Sequence, residues 1–439
     1  MASYQSSFAT PMRFEEYVSS IERVIEDPSY AASKHLTVSP SSEGDLFIIK
    51  YDREKLTSEN AHTLGLFRSV IVKIEDGQYR VVFAAQPKSV SFEQLGFQED
   101  DATKEKPLYI ESIIEGTMIN FFHDGQKWRI ATRSCIGANS KFYHDDEKDM
   151  SFRAMFMEAF KKQKLKLSYF RNDLGYSFVL QHPKNRIVSP VSESHIYLVN
   201  IFASKKTTGT EHLIYNQIGQ DDHLASLIEK GFFSGEITLT SAFSTVTKLE
   251  DGMEDLLKRK QELKEGAWDW KYKGVFIRNL DGKHAKLINA NYEYVANLVD
   301  NQPKTQFRYY HLLERSYSNE VNMLEEYLQY FPEDRYKFVH KYEPQFEEWI
   351  NELLKQYNAW WHSPMRAPAQ YKTCIAKMAD ILEIKENVYR EGVEGVEGGG
   401  EEGEILQKSK GITRCQFRKK VIKTLEPRLI MHSINFDYN

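Results

Sequence analysis

Cysteine is scarce in this 439-residue chain: Cys135, Cys374 and Cys415 stand far apart and are odd in number. That excludes a disulfide framework and points to a reducing compartment. No cysteine–histidine cluster has the spacing of a zinc site. No apolar run reaches the roughly 18 residues of a membrane span, and the N-terminus lacks the basic-then-apolar pattern of a secretory signal. A large charge of one sign is missing too. Lys and Arg number 58 and Asp and Glu 63, so the formal charge is −5, and any contact with nucleic acid falls to a local patch. These absences predict a soluble cytoplasmic protein with no membrane partner.

The chain is rich in material for packed cores, with 41% hydrophobic and 13% aromatic residues, and its length predicts two or three domains. Phe14 to Ile25 carries apolar residues at helical spacing, and Ser39-Pro40 reads as a loop, so residues 1–45 are expected to form a helix and a loop. Residues 46–300 read mostly as strands: Leu46–Lys50, Leu66–Lys73, Tyr79–Ala85, Tyr176–Gln181, His195–Phe202 and Val275–Arg278. Asp76-Gly77 marks one hairpin. Helices interrupt at Ser151–Phe160 and Ser244–Leu263, the latter with Ser244 or Thr245 as cap. The expected class is α+β, with antiparallel sheets. Residues 301–439 read as a helical C-terminal domain, as in Phe346–Tyr357. Within it, 389–404 is acidic, glycine-rich and expected to be a disordered loop. Residues 405–439 carry eight Lys/Arg against two Asp/Glu, a local 8 − 2 = +6, with apolar residues at helical spacing that should pack back.

The chain is organised around Ile110–Ser134. Two strand-like runs flank Asp124-Gly125, a hairpin signal. Before them stands Glu115-Gly116-Thr117, where a glycine lets backbone approach a ligand closely. This arrangement resembles the first motif of covalent nucleotidyltransferases, the RNA ligases, DNA ligases and mRNA-capping guanylyltransferases, which carry Lys-x-Asp-Gly there. The resemblance continues in the family's order. Arg68 lies in a segment similar to the Arg-Gly strand of phage-type RNA ligases, and Lys88 in one similar to their Pro-x-x-Lys segment. Arg133-Ser134 matches the basic-plus-small pair after the hairpin. Tyr176 to Val188, ending Asn185-Arg186-Ile187-Val188, is similar to Phe-Glu-x-x-x-Pro-x-Asn-Arg-Ile-Val. Lys273-Gly-Val-Phe-Ile and Lys286 to Tyr292 resemble the last two motifs. The pattern also resembles ligase-like proteins of large DNA viruses, which implies a host cytoplasm or viral factory. The fold implied is an antiparallel-sheet, ATP-grasp-like nucleotidyltransferase domain followed by an all-α domain.

Departures from that pattern decide the expected function. The family's chemistry uses a lysine amine to attack an α-phosphate, carboxylates for ribose and metal, and late lysines to neutralise phosphate. Here the nucleophile position is Ile113, the ribose-binding glutamate falls on Val179, the metal-associated glutamate is Lys273, and the second late lysine is Ile288. The reading is a pseudoenzyme that binds RNA ends or nucleotides without joining them, the 5′ mRNA cap being its most concrete ligand, with no catalytic residue, cofactor or metal. Arg68, Lys88, Glu115, Thr117, Arg133, Arg186, Lys273 and Lys286 are the expected contacts, each alternatively a turn or surface residue. Trp268 and Trp270 either stack on a base or anchor a core, as do Trp360 and Trp361. His123 reads as structural. Two alternatives stand beside this one: an active ligase using ATP and Mg through a displaced lysine, Lys50 or Lys88, and a protein–protein scaffold. Translation or RNA-processing partners are expected on the helical domain.

Overall fold

β-Branched and aromatic runs in the first two thirds of the chain pair into three antiparallel sheets. The computed structural model describes residues 15–61, 63–93, 109–142, 150–207, 210–217, 246–247, 252–278, 284–302, 304–319, 321–362, 367–379 and 413–436. It divides into two units, Met1–Ala296 and Asn297–Asn439.

In the first unit, strands β1 (Leu36–Pro40), β2 (Leu46–Tyr51), β3 (Val70–Glu75) and β4 (Gln78–Ala84) pair in that order. Asp76 and Gly77 both take positive φ, 53° and 73°, as a two-residue hairpin turn of matching twist demands. Helices α1 (Glu15–Glu26) and α2 (Pro28–Ser33) bury Ile21, Val24 and Ala31 in the same core as Ile48, Ile71 and Phe83. Asp27 caps α2, accepting from the amides of Ser29 and Tyr30 at 3.0 Å each. Two sequence expectations fail here. Ser39-Pro40 is the end of strand β1, paired with Ile48 and Phe47, because proline is tolerated at the end of an edge strand. Leu66–Lys73 is not one strand: Leu64–Leu66 is a 3-10 turn and β3 starts at Val70. The intervening carbonyls of Phe67 and Ser69 instead accept from Tyr51 and Ala85, which leaves Arg68 on a bend.

The second sheet runs β10-β9-β8-β6-β7, with β6 (Thr117–His123), β7 (Trp128–Ala131), β8 (Leu174–Gln181), β9 (His195–Thr207) and β10 (Thr210–Gln217). One face packs Phe121, Tyr176 and Phe178 against Phe156 and Phe160 of α3 (Phe152–Lys162). Ser151 caps that helix through the amide of Ala154. Asp124 holds the β6–β7 turn by accepting from Gln126 and Lys127, and its second oxygen meets Arg129, which also reaches Glu43 and Asp45. His123 accepts from the Gly125 amide, a role inside the turn.

The third sheet, β11-β5-β12-β13, consists of β5 (Tyr109–Ser112), β11 (Val246–Thr247), β12 (Gly274–Arg278) and β13 (His284–Ile288). Val275, Ile277 and Ala285 pack with Leu256 and Leu263 of α4 (Gly252–Lys264). The expected helix over Ser244–Leu263 is therefore shorter. Val246 and Thr247, both β-branched, pair with Glu111 and Ile110; Ser244 and Thr245 lie outside the described residues. α5 (Ala290–Val299) follows β13.

The stretch Ile113–Gly116 crosses from the third sheet to the second. Gly116 sits at φ 155°, and a Cβ there would meet the Leu180 carbonyl oxygen at 2.4 Å and Val179 Cγ1 at 2.6 Å. Gly274 repeats the arrangement at φ 135°, with the Leu287 oxygen at 2.1 Å. Both positions require glycine.

The second unit is helical, with helices Thr305–Asn319, Met323–Tyr330, Glu343–His362, Arg414–Thr424 and Pro427–Ile434. Buried Arg308 donates to the carbonyls of Val299 and Gln302 and to the Tyr327 hydroxyl, which donates to Asp334. The basic C-terminal segment packs back. Phe417, Val421, Ile422 and Ile430 are buried, Arg414 and Arg418 pair with Glu347, and Trp349 donates to Ser433. The acidic segment 389–404 lies outside the described residues. Among the described residues no helix is long and apolar enough to cross a membrane.

Gly116→Ala is expected to cost about 2–3 kcal/mol, read as a lowered urea midpoint at unchanged m-value. An unchanged midpoint would show that the crossover accepts a side chain.

Candidate phosphate-binding cleft

Glu115 is buried, at 7% exposure, and both of its carboxylate oxygens accept hydrogen bonds. Oε1 accepts from the Val188 amide at 2.8 Å and from the Tyr292 hydroxyl at 2.7 Å, while Oε2 accepts from the Ser189 amide at 2.9 Å. Its carbonyl accepts from Gln181 Nε2 at 2.8 Å. One side chain thus gathers the crossover, the Asn185–Ser189 segment and the start of α5. Ile113 donates its amide to the Gly274 carbonyl at 2.9 Å, so the crossover also carries Lys273 beside it. Thr117 accepts from Asn185 at 2.9 Å, and Arg186 donates from Nε to the Val188 carbonyl. Val179, at the position where the family has an acid, packs its Cγ1 over Gly116.

Around this knot stand cations from four segments. Arg68 is on the bend before β3. Lys88 follows β4, where its amide bonds the Gly65 carbonyl, and Val90 bonds the carbonyl of His284 on β13. Lys273 precedes β12, and its amine lies 5.3 Å from the Tyr292 ring centroid. Lys286 is on β13 opposite Phe276, on the sheet face turned away from Val275, Ile277 and Ala285. All four are partly buried. Burial depresses each of them, and their mutual repulsion adds to it. Burial, then the charges of Arg68, Lys273 and Lys88, brings Lys286 down to about 7. Lys273 is lowered by burial and Arg68 despite the opposing pull of Glu115, and Lys88 by burial and Arg68. Arg68 is lowered by burial and by Arg133 and Arg53.

Arg133 extends the charge along β2. Its guanidinium stacks 4.4 Å from the Tyr51 ring centroid and donates to the Tyr51 carbonyl at 3.1 Å, while its Nε is buried without a partner. Lys50, lowered by burial and by Arg133 and Arg53, sits at this end. Trp268 stands apart: its ring stacks on Tyr272 at 4.9 Å and its N–H donates to Glu262. Trp270 has the Lys271 amine 5.6 Å from its ring centroid. Trp360 is tilted against Tyr357, and the Trp361 side chain lies outside the described residues. Sequence reasoning missed Arg53, Tyr51 and the Val188 and Ser189 amides as parts of this assembly. Only Tyr292 carried a signal, as the last residue of the closing motif.

No family model matches the chain. It is 24% identical over 139 residues to an RNA ligase of Rhodothermus phage RM378, a match spanning 30% of each protein. Among solved structures it is similar to an archaeal ATP-dependent RNA ligase, at TM-score 0.35 and 11% identity over 67% of this chain and 64% of that one. A putative ATP-dependent DNA ligase from Aquifex aeolicus matches at TM-score 0.36 and 14% identity, over 76% and 81%.

A ligase resemblance implies ATP with magnesium. Mg²⁺ takes oxygen ligands, chiefly carboxylates and phosphates. Glu115 already accepts three hydrogen bonds, two on Oε1 and one on Oε2, and Glu111 pairs with Phe276 in the row that also holds Lys286. Among the described residues no group of three or more His, Cys, Asp or Glu is placed to hold an ion.

The cluster makes stability depend on pH. The ordinary lysine pKa is about 10.4, and in the folded chain Lys286 sits at about 7, so between these values the unfolded chain binds more protons and stability rises with pH. Well below pH 7 the amine is charged in both states and the repulsion is felt in full. Lys286→Met is therefore expected to stabilise the protein by about 1–2 kcal/mol near pH 7, with the gain shrinking toward pH 10. Thermal unfolding across that range checks it; a gain that grows with pH would contradict the cluster.

Proposed function

We propose that the first unit is a non-catalytic relative of the RNA-ligase nucleotidyltransferases, which holds the phosphates of an RNA end or nucleotide in the Arg68–Lys88–Lys273–Lys286 cleft. The observation that carries this is the imbalance of charge. Four cations from four chain segments converge, partly buried and mutually repelling, beside one carboxylate that the fold already uses. Such a cluster is costly in the free protein and is relieved by a polyanion of fixed geometry. The similarity to a phage protein named an RNA ligase supports RNA as the source of the phosphates. Ile113 at the nucleophile position supports binding without covalent transfer.

The 5′ cap is one form of this ligand, since its phosphate bridge presents the same groups. Protein partners belong on the helical unit, where Tyr336 and Val339 are exposed one turn apart. The competing reading, nucleotidyl transfer through a displaced lysine, draws on the same cluster. Burial leaves the Lys88 and Lys50 amines lowered toward the uncharged, nucleophilic form.

Fluorescence polarisation with a short labelled RNA tests the proposal. A 5′-phosphorylated oligonucleotide is expected to bind at least about tenfold more tightly than its 5′-hydroxyl form, a difference of about 1.4 kcal/mol. Lys286→Glu should erase that difference. Equal affinity of the two RNAs for the unaltered protein would overturn it.

A further inference from the structure

The first and second sheets share one core. Phe83 of β4 lies 5.5 Å, ring to ring, from both Phe122 of β6 and Phe202 of β9, and all three are buried in it. Two residues further along the strands of the second sheet, and so on the same face, this core turns polar. Asn120, Ser177 and Asn200 stand in a row across β6, β8 and β9, each at 0% exposure.

Only part of the row is satisfied. Ser177 donates its hydroxyl to Asn120 Oδ1 at 3.2 Å, and Asn120 Nδ2 donates across the core to the hydroxyl of buried Ser69, at 3.3 Å. Asn200 comes next, and neither Oδ1 nor Nδ2 has a hydrogen-bond partner. Its neighbour on the far side is Gln217, whose side chain lies outside the described residues. Gln86, buried just beyond β4, also has its Nε2 unpartnered. A buried amide left unmet at both ends is less stable than an apolar side chain of the same shape. Such strain is ordinarily kept where function uses it.

The parts of the first sheet that meet this row also carry cations of the cleft. Arg68 immediately precedes Ser69, whose carbonyl accepts from the Ala85 amide at 2.9 Å, and Lys88 follows Gln86 by two residues. A shift of the first sheet over the row carries both cations with it.

We infer that the first sheet has a second seating on this row, in which the amides of Asn200 and Gln86 gain partners, and that phosphates in the cleft favour it by drawing Arg68 and Lys88 inward. Asn200 is then a positioning residue, which touches no ligand and acts through the sheet it seats. This rests on the proposal that the cleft binds RNA-end phosphates. The ligand prefers one seating because its contacts with the two moving cations differ between them.

Asn200→Leu tests this, since leucine is close in volume and forms no hydrogen bond. It removes the unmet amide from the free seating and the new partners from the bound one. The urea midpoint should therefore rise, while affinity of the full chain for 5′-phosphorylated RNA falls about fivefold or more. An asparagine with a merely structural role would move the midpoint alone. A midpoint that does not rise, or an affinity that does not fall, would overturn the inference. The unaltered protein gives a second reading that needs no variant. On saturation with the RNA, the nuclear magnetic resonance signal of the Asn200 side-chain amide is expected to move downfield as its protons gain acceptors. A signal that stays in place would overturn the inference while leaving phosphate binding intact. No RNA binding by the folded, unaltered chain would overturn both.

Discussion

The buried carboxylate of Glu115 is the contact on which the first unit depends. It takes two backbone amides from the segment after β8 and the phenol of Tyr292 from α5. Two segments distant in sequence are thereby fixed to one crossover between sheets. The crossover itself exists only because Gly116 admits the Leu180 carbonyl where any side chain would collide. Removing the acid would leave two buried amides without acceptors, which is costly. Burial of Tyr292 and its bond to Glu115 hold that phenol well above its ordinary range. The acid thus serves to hold the frame.

With the acid committed, the charge around it is unbalanced. Arg68 depresses Lys88, Lys273 and Lys286, the last also depressed by Lys273 and Lys88, and Arg133 with Arg53 extends the same field to Arg68 and Lys50. Folding maintains this arrangement against its own repulsion, which is how strain at a binding site is ordinarily carried. The natural counterpart is a ligand dense in negative oxygens. An RNA end or nucleotide meets that description, which is the proposal made for this site.

Much of this was legible in the residues. The hairpins at Asp76-Gly77 and Asp124-Gly125 follow from turn chemistry, and the α+β body with its helical second unit follows from periodicity. Arg68, Lys88, Lys273 and Lys286 were each marked by motif order, and the structure brings them together. What escaped was set by tertiary pairing. Ser39-Pro40 became a strand because β2 offered it a partner, and Val246-Thr247 left the helical run because β5 did. The double engagement of Glu115 was invisible because its partners are backbone amides, which carry no sequence signature. Tyr51 gave no signal because its role arises only where Arg133 stacks on it, and Arg53 because it acts through its charge on Lys50, Arg68 and Arg133.

The central claim is that this cleft holds phosphates without forming a bond to them. The most direct measurement is incubation with magnesium and ATP labelled at the α-phosphate, followed by a denaturing gel. The account predicts no label retained on the folded and then denatured chain. A band that disappears when Lys50, Lys88 or Lys286 alone is substituted would contradict it and name the residue that carries the nucleotide.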